Sequence, residues 1–582
     1  MAIDDPSTPS ASVAFTRFRP QSHFIAPHSW ANDPCGAVYI PETDEYLFCY
    51  QWNPGTSKGG NCAWGAARSR DLITWEDCAP ALWNGPAGSY DALGVFSGSI
   101  ISRLEGGQRV LYLFYTSVSH MPIHWSKPYK PGCETQSVAV SRDYGRTWQR
   151  HERNPLIKLP PKMEATTGWR DPFVSKWPSL SKLRGVSDGT MYMMIASGVQ
   201  GQGSQLHLYV ANDLVSWAYL GVLLDVKQGE RVQPGSDWEF GMNFECGTFA
   251  TVGNNDYIIL GVEEDVTSKR HNHHYEAWLG GKLSLHEDGT PTFGIESHGL
   301  LDHGVLYAAH IFRGKDDRLL QLGWADETAT PATVREQGWA GCMGHPRELF
   351  EITRPAGEEQ HRTTEWKVDE TSGLMTTLGI RPAKELASLR REKFGSSLRD
   401  LERLRSTNYE IEATFPNITG SEVFTVNVRQ APGDREVTKV IINLRDGHIT
   451  VDRSRSSLGS LGASTPDAGR FALLPGEEEL RLRLFVDGSL VEVFANERFA
   501  LTSRVYPSLD ESLGASCALG GEEYDDSSAR VAVWEGLRGA WPRREAGAHL
   551  FEEMHPLRRE RARGKEAAMG AVEVLPVDAV TA

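Results

Sequence analysis

Several things are scarce in this chain. No apolar run approaches the roughly 18 residues that a membrane-spanning helix needs, so insertion by helices is excluded and no membrane partner is expected. Basic residues are short as well: 60 Lys and Arg stand against 76 Asp and Glu, a formal charge of −16. That excess repels a phosphate backbone and no Lys/Arg stripe offsets it, so nucleic acid is not an expected partner. The eight cysteines (35, 49, 62, 78, 133, 246, 342, 517) form no CxxC pair and no zinc-like spacing. They read as reduced, mostly buried thiols, not as a disulfide frame or a metal site. Met1 to Phe15 has neither a basic start nor an apolar core segment and does not read as a secretory signal. A single glycosylation acceptor, Asn417-Ile418-Thr419, occurs. Both features lean toward a cytoplasmic protein, although a secreted one stripped of its leader would begin in the same way.

What is present is enough chain for more than one core. At 582 residues two domains are the default, and a mean hydropathy of −0.39 with 23% charged residues fits a water-soluble protein acting on a neutral substrate. A weak repeat gives the first architectural clue: Ser69-Arg70-Asp71-Leu72-Ile73-Thr74-Trp75, Ser141-Arg142-Asp143-Tyr144-Gly145-Arg146-Thr147-Trp148 and Asn212-Asp213-Leu214-Val215-Ser216-Trp217. Their aspartates lie 72 and 70 residues apart, each after a strand-like run and before a Trp that opens another. Asp is therefore expected to hold a turn between adjacent strands. A period of about 70 over roughly 350 residues suggests five radially arranged four-stranded units, a propeller. The alternative is three coincidental turns in another all-β protein.

Past Pro346-Arg347-Glu348-Leu349 the sequence turns polar. Beyond it, Tyr409 to Phe415, Val423 to Arg429, Lys439 to Leu444 and His448 to Arg453 read as strands, with a hairpin turn at Asp446-Gly447. Leu480, Leu482, Leu484 and Val486 alternate with polar or bulky residues, turn at Asp487-Gly488 and return through Leu490 to Phe494, the period-two pattern of a β-sandwich. The expected division is a propeller over 1–355, a linker over 356–385, a sandwich over 386–541 and a charged tail over 542–582.

Three acidic signatures carry the chemistry: Trp30-Ala31-Asn32-Asp33-Pro34, Arg170-Asp171-Pro172 and Phe244-Glu245-Cys246. The intervals, 138 and 74 residues, are near two periods and one, so the three would occupy equivalent inner positions and converge on one funnel. Carboxylates from separate segments are what glycosidic cleavage requires, one attacking carbon and one handling the leaving-group proton. Any one of these motifs alone would be an ordinary turn or strand residue. Joint order and spacing argue otherwise.

Together with Tyr50-Gln51-Trp52-Asn53-Pro54, Trp64-Gly65, Phe96-Ser97-Gly98-Ser99, Gly323-Trp324 and Phe485 to Pro507, these motifs resemble glycoside hydrolase family 32, the invertases, inulinases and fructosyltransferases. Ser117 to Ser126 and Glu134-Thr135-Gln136-Ser137 look most like the fungal fructosyl-transferring members. The resemblance implies an all-β fold, a five-bladed β-propeller followed by a C-terminal β-sandwich, and a retaining double displacement on sucrose or fructooligosaccharides. Asp33 would be the nucleophile, Glu245 the acid and base, and Asp171 a stabiliser kept ionised and oriented by Arg170, with Pro34 and Pro172 fixing extended approaches. Asn32, Gln51, Trp64, Phe96 and Ser97 match positions lining the fructose pocket, with core packing an open alternative for Trp64 and Phe96. Ile123, His124 and Trp125, with Glu263, His274 and Tyr307, match positions shaping the acceptor side. Ala31 and Cys35 depart from the commoner residues of the first motif.

No cofactor is implied. His271-Asn272-His273-His274 suggests metal only weakly, since two carboxylates suffice and a polar loop is the simpler reading. Rival functions are plain hydrolysis, an inverting pentosidase on the same architecture, and a non-catalytic carbohydrate-binding propeller. The sandwich is expected to brace the propeller or mediate homodimer contacts.

Overall fold

The computed structural model describes residues 13–232, 238–263, 274–356, 363–474, 476–520 and 528–544. Nearly all regular structure in them is strand, and no helix is long and apolar enough to cross a membrane. The eight cysteines are free thiols, five of them buried. The tail over 545–582 and the histidines at 271–273 lie outside the described residues.

Five antiparallel sheets follow one another from Ser29 to Pro382, and two five-stranded sheets follow from Asn408 to Glu535. The first strand of each of the five is Ser29–Ile40, Gly94–Glu105, Thr166–Lys176, Asn243–Val252 and Leu306–Arg313. Each of these inner strands touches the next, and the fifth touches the first. The ring is also tied by the chain: Trp339–Ala340, from beyond the fifth inner strand, pairs in parallel with Ser29 and Trp30. This is a propeller followed by a sandwich.

The repeated aspartates do hold turns. Asp71 Oδ1 accepts from the N–H of Ile73 and Thr74 at 2.9 and 2.7 Å, and Asp213 Oδ1 from Val215 and Ser216 at 3.0 and 2.7 Å. Asp143 does the same for Arg146 and Thr147. The residue after each, Leu72, Tyr144 or Leu214, has φ of 63–66°. Each turn joins the third strand of its sheet to the fourth.

The stretch read as a linker, 356–385, is partly sheet. Lys367–Asp369 and Leu374–Pro382 join the fifth sheet, the latter paired with Arg347–Pro355, and Met375, Leu378 and Ile380 are buried. In the sandwich Leu480, Leu482, Leu484 and Val486 face inward against Ile411, Phe415, Phe424 and Val440, while Arg481 and Arg483 point outward. Each such burial is worth about 1.5–3 kcal/mol.

The two domains meet over a charged core. Arg347 Nη1 donates to Asp302 at 2.8 Å and Nη2 to Glu492 at 3.0 Å, all three side chains without exposed surface. His23, from the segment preceding the propeller, stands between Asp487 at 2.7 Å and Glu492 at 3.0 Å and stacks on His345 at 3.6 Å. Burial alone would lower the His23 pKa, but hydrogen bonds from its ring to the two carboxylates outweigh it and raise it from 6.5 to about 9. Its contribution to stability is therefore complete below about pH 6.5 and lost as pH rises through 9. Thermal denaturation from pH 6 to 10 is expected to show a falling midpoint that flattens in His23→Gln; a parallel fall in both proteins would refute the assignment.

Candidate active site

Every inner strand carries a bulge at the same height. Relative to the second strand of its sheet, the extra residues fall at Asn32-Asp33, Ser97, Asp171-Pro172, Cys246-Gly247 and Ala308-Ala309. A bulge bends the strand and re-aims a side chain, and five around one axis turn these residues toward a common centre. Asp171, Cys246 and Ala308 take φ of +65°, +47° and +52°. The extended approach expected for Asp171 before Pro172 is thus corrected. Left-handed backbone before proline is unfavourable, at about 1–3 kcal/mol for a non-glycine residue. The surroundings hold it: the Asp171 N–H donates to Thr116 Oγ1 at 2.9 Å and its carboxylate accepts the Cys246 N–H at 2.9 Å.

Asp33 is ringed by donors. Ser97 Oγ lies 2.5 Å and Gln51 Nε2 3.3 Å from Oδ2, and Asn32 Nδ2 lies 3.1 Å from Oδ1. Burial raises its pKa, opposed by the hydrogen bonds from Ser97, Cys246 and Asn32. Glu245 receives Tyr307 Oη at 2.9 Å on one oxygen and Arg170 Nη1 at 3.2 Å on the other. Burial first, then the neighbouring Glu263 charge, pushes it well above the usual carboxylate range, against the pull of Arg170. Asp171 is raised to about 7 by burial and the Asp33 charge, again against Arg170. The three acids are adjacent: Cys246, next to Glu245, sends its N–H to Asp171 and its Sγ to within 3.7 Å of Asp33. Burial raises all three carboxyls, and the hydrogen bonds from Ser97, Cys246 and Asn32 oppose the rise at Asp33, a difference in surroundings that can divide the roles of acid and nucleophile.

Residues 23–359 match the family model described as "Glycosyl hydrolases family 32 N-terminal domain", and residues 375–535 match "Glycosyl hydrolases family 32 C terminal". The chain belongs to glycoside hydrolase family 32. It is similar to the sucrose-6-phosphate hydrolase of Escherichia coli, at 28% identity over 85% of this chain and 90% of that one. Among solved structures it is similar to the β-fructofuranosidase of Aspergillus kawachii, at 27% identity and a TM-score of 0.78, covering 94% of this chain and all of that one. The fructosyltransferase of A. japonicus, at 24% identity and a TM-score of 0.78, shares the fold.

In this family 32 enzyme the carboxylates open into one pocket. Asn32, Gln51, Phe96, Arg170, Ile123, His124, Glu263, His274 and Tyr307 line it, with Trp125. Two expected residues do not. Trp64 has no exposed surface and donates Nε1 to the Phe96 carbonyl at 3.1 Å, so it sits in the core behind the pocket. Ser97 is 1% exposed and spends its hydroxyl on Asp33; it places the carboxylate and does not line the pocket. Arg170 is also corrected: its hydrogen bonds go to Glu134 and Glu245, and it reaches Asp171 only through its charge.

In the wall of the family 32 pocket, His124 is bonded through Nδ1 to Ser126 at 2.6 Å and held neutral, its pKa lowered to about 4 by burial and by Arg170. Glu263 accepts from Asn243 Nδ2 at 2.8 Å. The His274 ring packs 4.2 Å from that of Tyr307, tilted by 38°, and stands 3.5 Å from Asp326, whose pKa burial raises to about 7. Sequence reasoning missed Trp30 and Trp324, whose rings meet at 5.8 Å in the pocket wall, although both stand inside motifs that carried the resemblance. It also missed Glu134, which lies inside another.

Proposed function

We propose that this family 32 enzyme is a retaining β-fructofuranosidase acting on sucrose, and that it transfers the fructosyl unit to a second sucrose, giving short fructooligosaccharides such as kestose, as well as to water. Its five sheets are read as five blades. The observation that carries the reading is the triple junction at Cys246, which brings Asp33 and Asp171 against the residue next to Glu245.

Asp33 attacks the anomeric carbon of the fructosyl unit while Glu245 gives its proton to the departing glucose oxygen, breaking the glycosidic bond and leaving an ester to Asp33. Glu245, now ionised, takes a proton from the incoming hydroxyl as that oxygen displaces Asp33. Asp171, fixed by Thr116 and Cys246, meets the sugar hydroxyls and the positive charge that develops. The lining cation, Arg170, is engaged by Glu134 and Glu245, so among the described residues the pocket suits sucrose better than its phosphate ester. Ile123, His124, Trp125, Glu263 and His274 form the wall where an acceptor sugar would lie, raising its effective concentration over water.

Incubation across rising sucrose concentrations, followed by product chromatography, tests the transfer step. A trisaccharide fraction that grows with sucrose, with glucose in excess over free fructose, is expected. Equal glucose and fructose at every concentration would reduce the enzyme to a hydrolase, the activity that its E. coli relative is named for.

A further inference from the structure

Glu134 lies outside the pocket lining, at the start of the strand Glu134–Ser141, with no exposed surface. Its Oε1 stands 2.7 Å from Arg170 Nε, and its Oε2 accepts the Trp169 N–H at 2.7 Å. The Trp169 carbonyl accepts Gln136 Nε2 at 2.8 Å, so one strand holds the residue before Arg170 by both its N–H and its carbonyl. The guanidinium folds back over Gly168, where a Cβ would stand 2.5 Å from Nη1. From this seat Arg170 reaches Glu245 with Nη1 at 3.2 Å, a longer contact than the one to Glu134.

We propose that Glu134 is a positioning residue that holds Arg170 back and offsets its charge, so that Glu245 can carry the proton that the departing sugar needs. A lone cation beside a carboxyl favours the ionised form. An acid must hold its proton until the bond breaks. Glu134 acts against that conflict twice, as a counter-charge and as a tether. The other charged or titratable groups facing Glu245 include Glu263, Asp171, Asp33, Cys246 and Tyr307; those facing Glu134 besides Arg170 include Tyr129, Cys133, Asp171 and Glu263. Apart from Arg170, none of these supplies a cation, so removing the Glu134 charge leaves Arg170 to act on Glu245 unopposed.

The inference rests on Glu245 as acid and base, and the experiment separates the two. The pH dependence of kcat/KM for sucrose is measured in the parent, Glu134→Gln, Glu134→Asp, Gln136→Leu and Glu245→Gln. Glu134→Gln is expected to move the alkaline limb to lower pH by about 1–2 units, with Glu134→Asp returning it at least halfway. Gln136→Leu, which frees the Trp169 carbonyl without a change of charge, is expected to leave the limb in place. An unmoved limb in Glu134→Gln, or an equal shift in Gln136→Leu, overturns the proposal. Should Glu134→Gln fail to fold because it buries an unpaired guanidinium, Glu134→Gln with Arg170→Gln replaces it; its limb is expected at or above the parent's, and a limb below overturns the proposal. If the limb survives in Glu245→Gln, it is the acid/base assignment that falls.

Discussion

Asp33→Asn is expected to lower kcat on sucrose by about 10⁴-fold or more, the scale of losing a covalent nucleophile. Asparagine fills the same volume and its amide oxygen can still accept from Ser97 and Gln51; its NH2 replaces only the oxygen that accepted from Asn32, so the pocket should survive with one hydrogen bond fewer. Only the charge proposed to attack carbon is removed. Stability offers a second readout. Burial raises the Asp33 pKa, so its ionised form disfavours the fold at neutral pH, and that penalty fades as pH falls through the folded pKa. The variant should therefore denature at or above the parent's midpoint at pH 7 while sucrose binding by calorimetry persists, as expected where a functional site costs stability. Activity within tenfold of the parent would remove Asp33 from the nucleophile's place.

Glu245→Gln is expected to lower kcat by about 10²–10⁴-fold, the usual worth of a positioned acid and base. The loss should depend on the leaving group. An aryl fructoside whose phenolate departs without help should form the ester on Asp33 nearly as fast as in the parent, and intact-mass spectrometry should then show protein carrying one fructosyl unit. The second step still needs a base, so the adduct should persist. For the parent, kcat/KM is expected to fall as pH rises through the pKa of Glu245, which burial and Glu263 hold well above the usual range. Equal losses on sucrose and on the aryl substrate would show that Glu245 serves binding and not proton transfer.

The layers of the molecule differ in how far they could be read from the chain. Asp71, Asp143 and Asp213 announced their turns because each acts within three or four residues of itself. The alternation from Leu480 to Val486 announced a strand because one face is core and the other solvent. Asp33, Asp171 and Glu245 were legible because their spacing followed the repeat and their neighbours matched a family.

What stayed hidden was non-local or irregular. The bond between Glu134 and Arg170 spans 36 residues and leaves no periodic trace. The bulges break the two-residue period where the chemistry lies, so Asp171 could not be assigned its left-handed backbone and its proline argued for the opposite. Trp64 and Phe96 are both aromatics on neighbouring strands. Only packing shows that one lines the pocket and the other stands behind it, bonded to its carbonyl.

The five bulges also bear on how such a centre changes over time. Asp33 and Asp171 stand within such inserts and Glu245 is the last paired residue before one, while the ladders on either side of each insert keep their pairing. One position per sheet can thus be exchanged without disturbing the architecture, and a lineage built on this ring can try new chemistries one residue at a time.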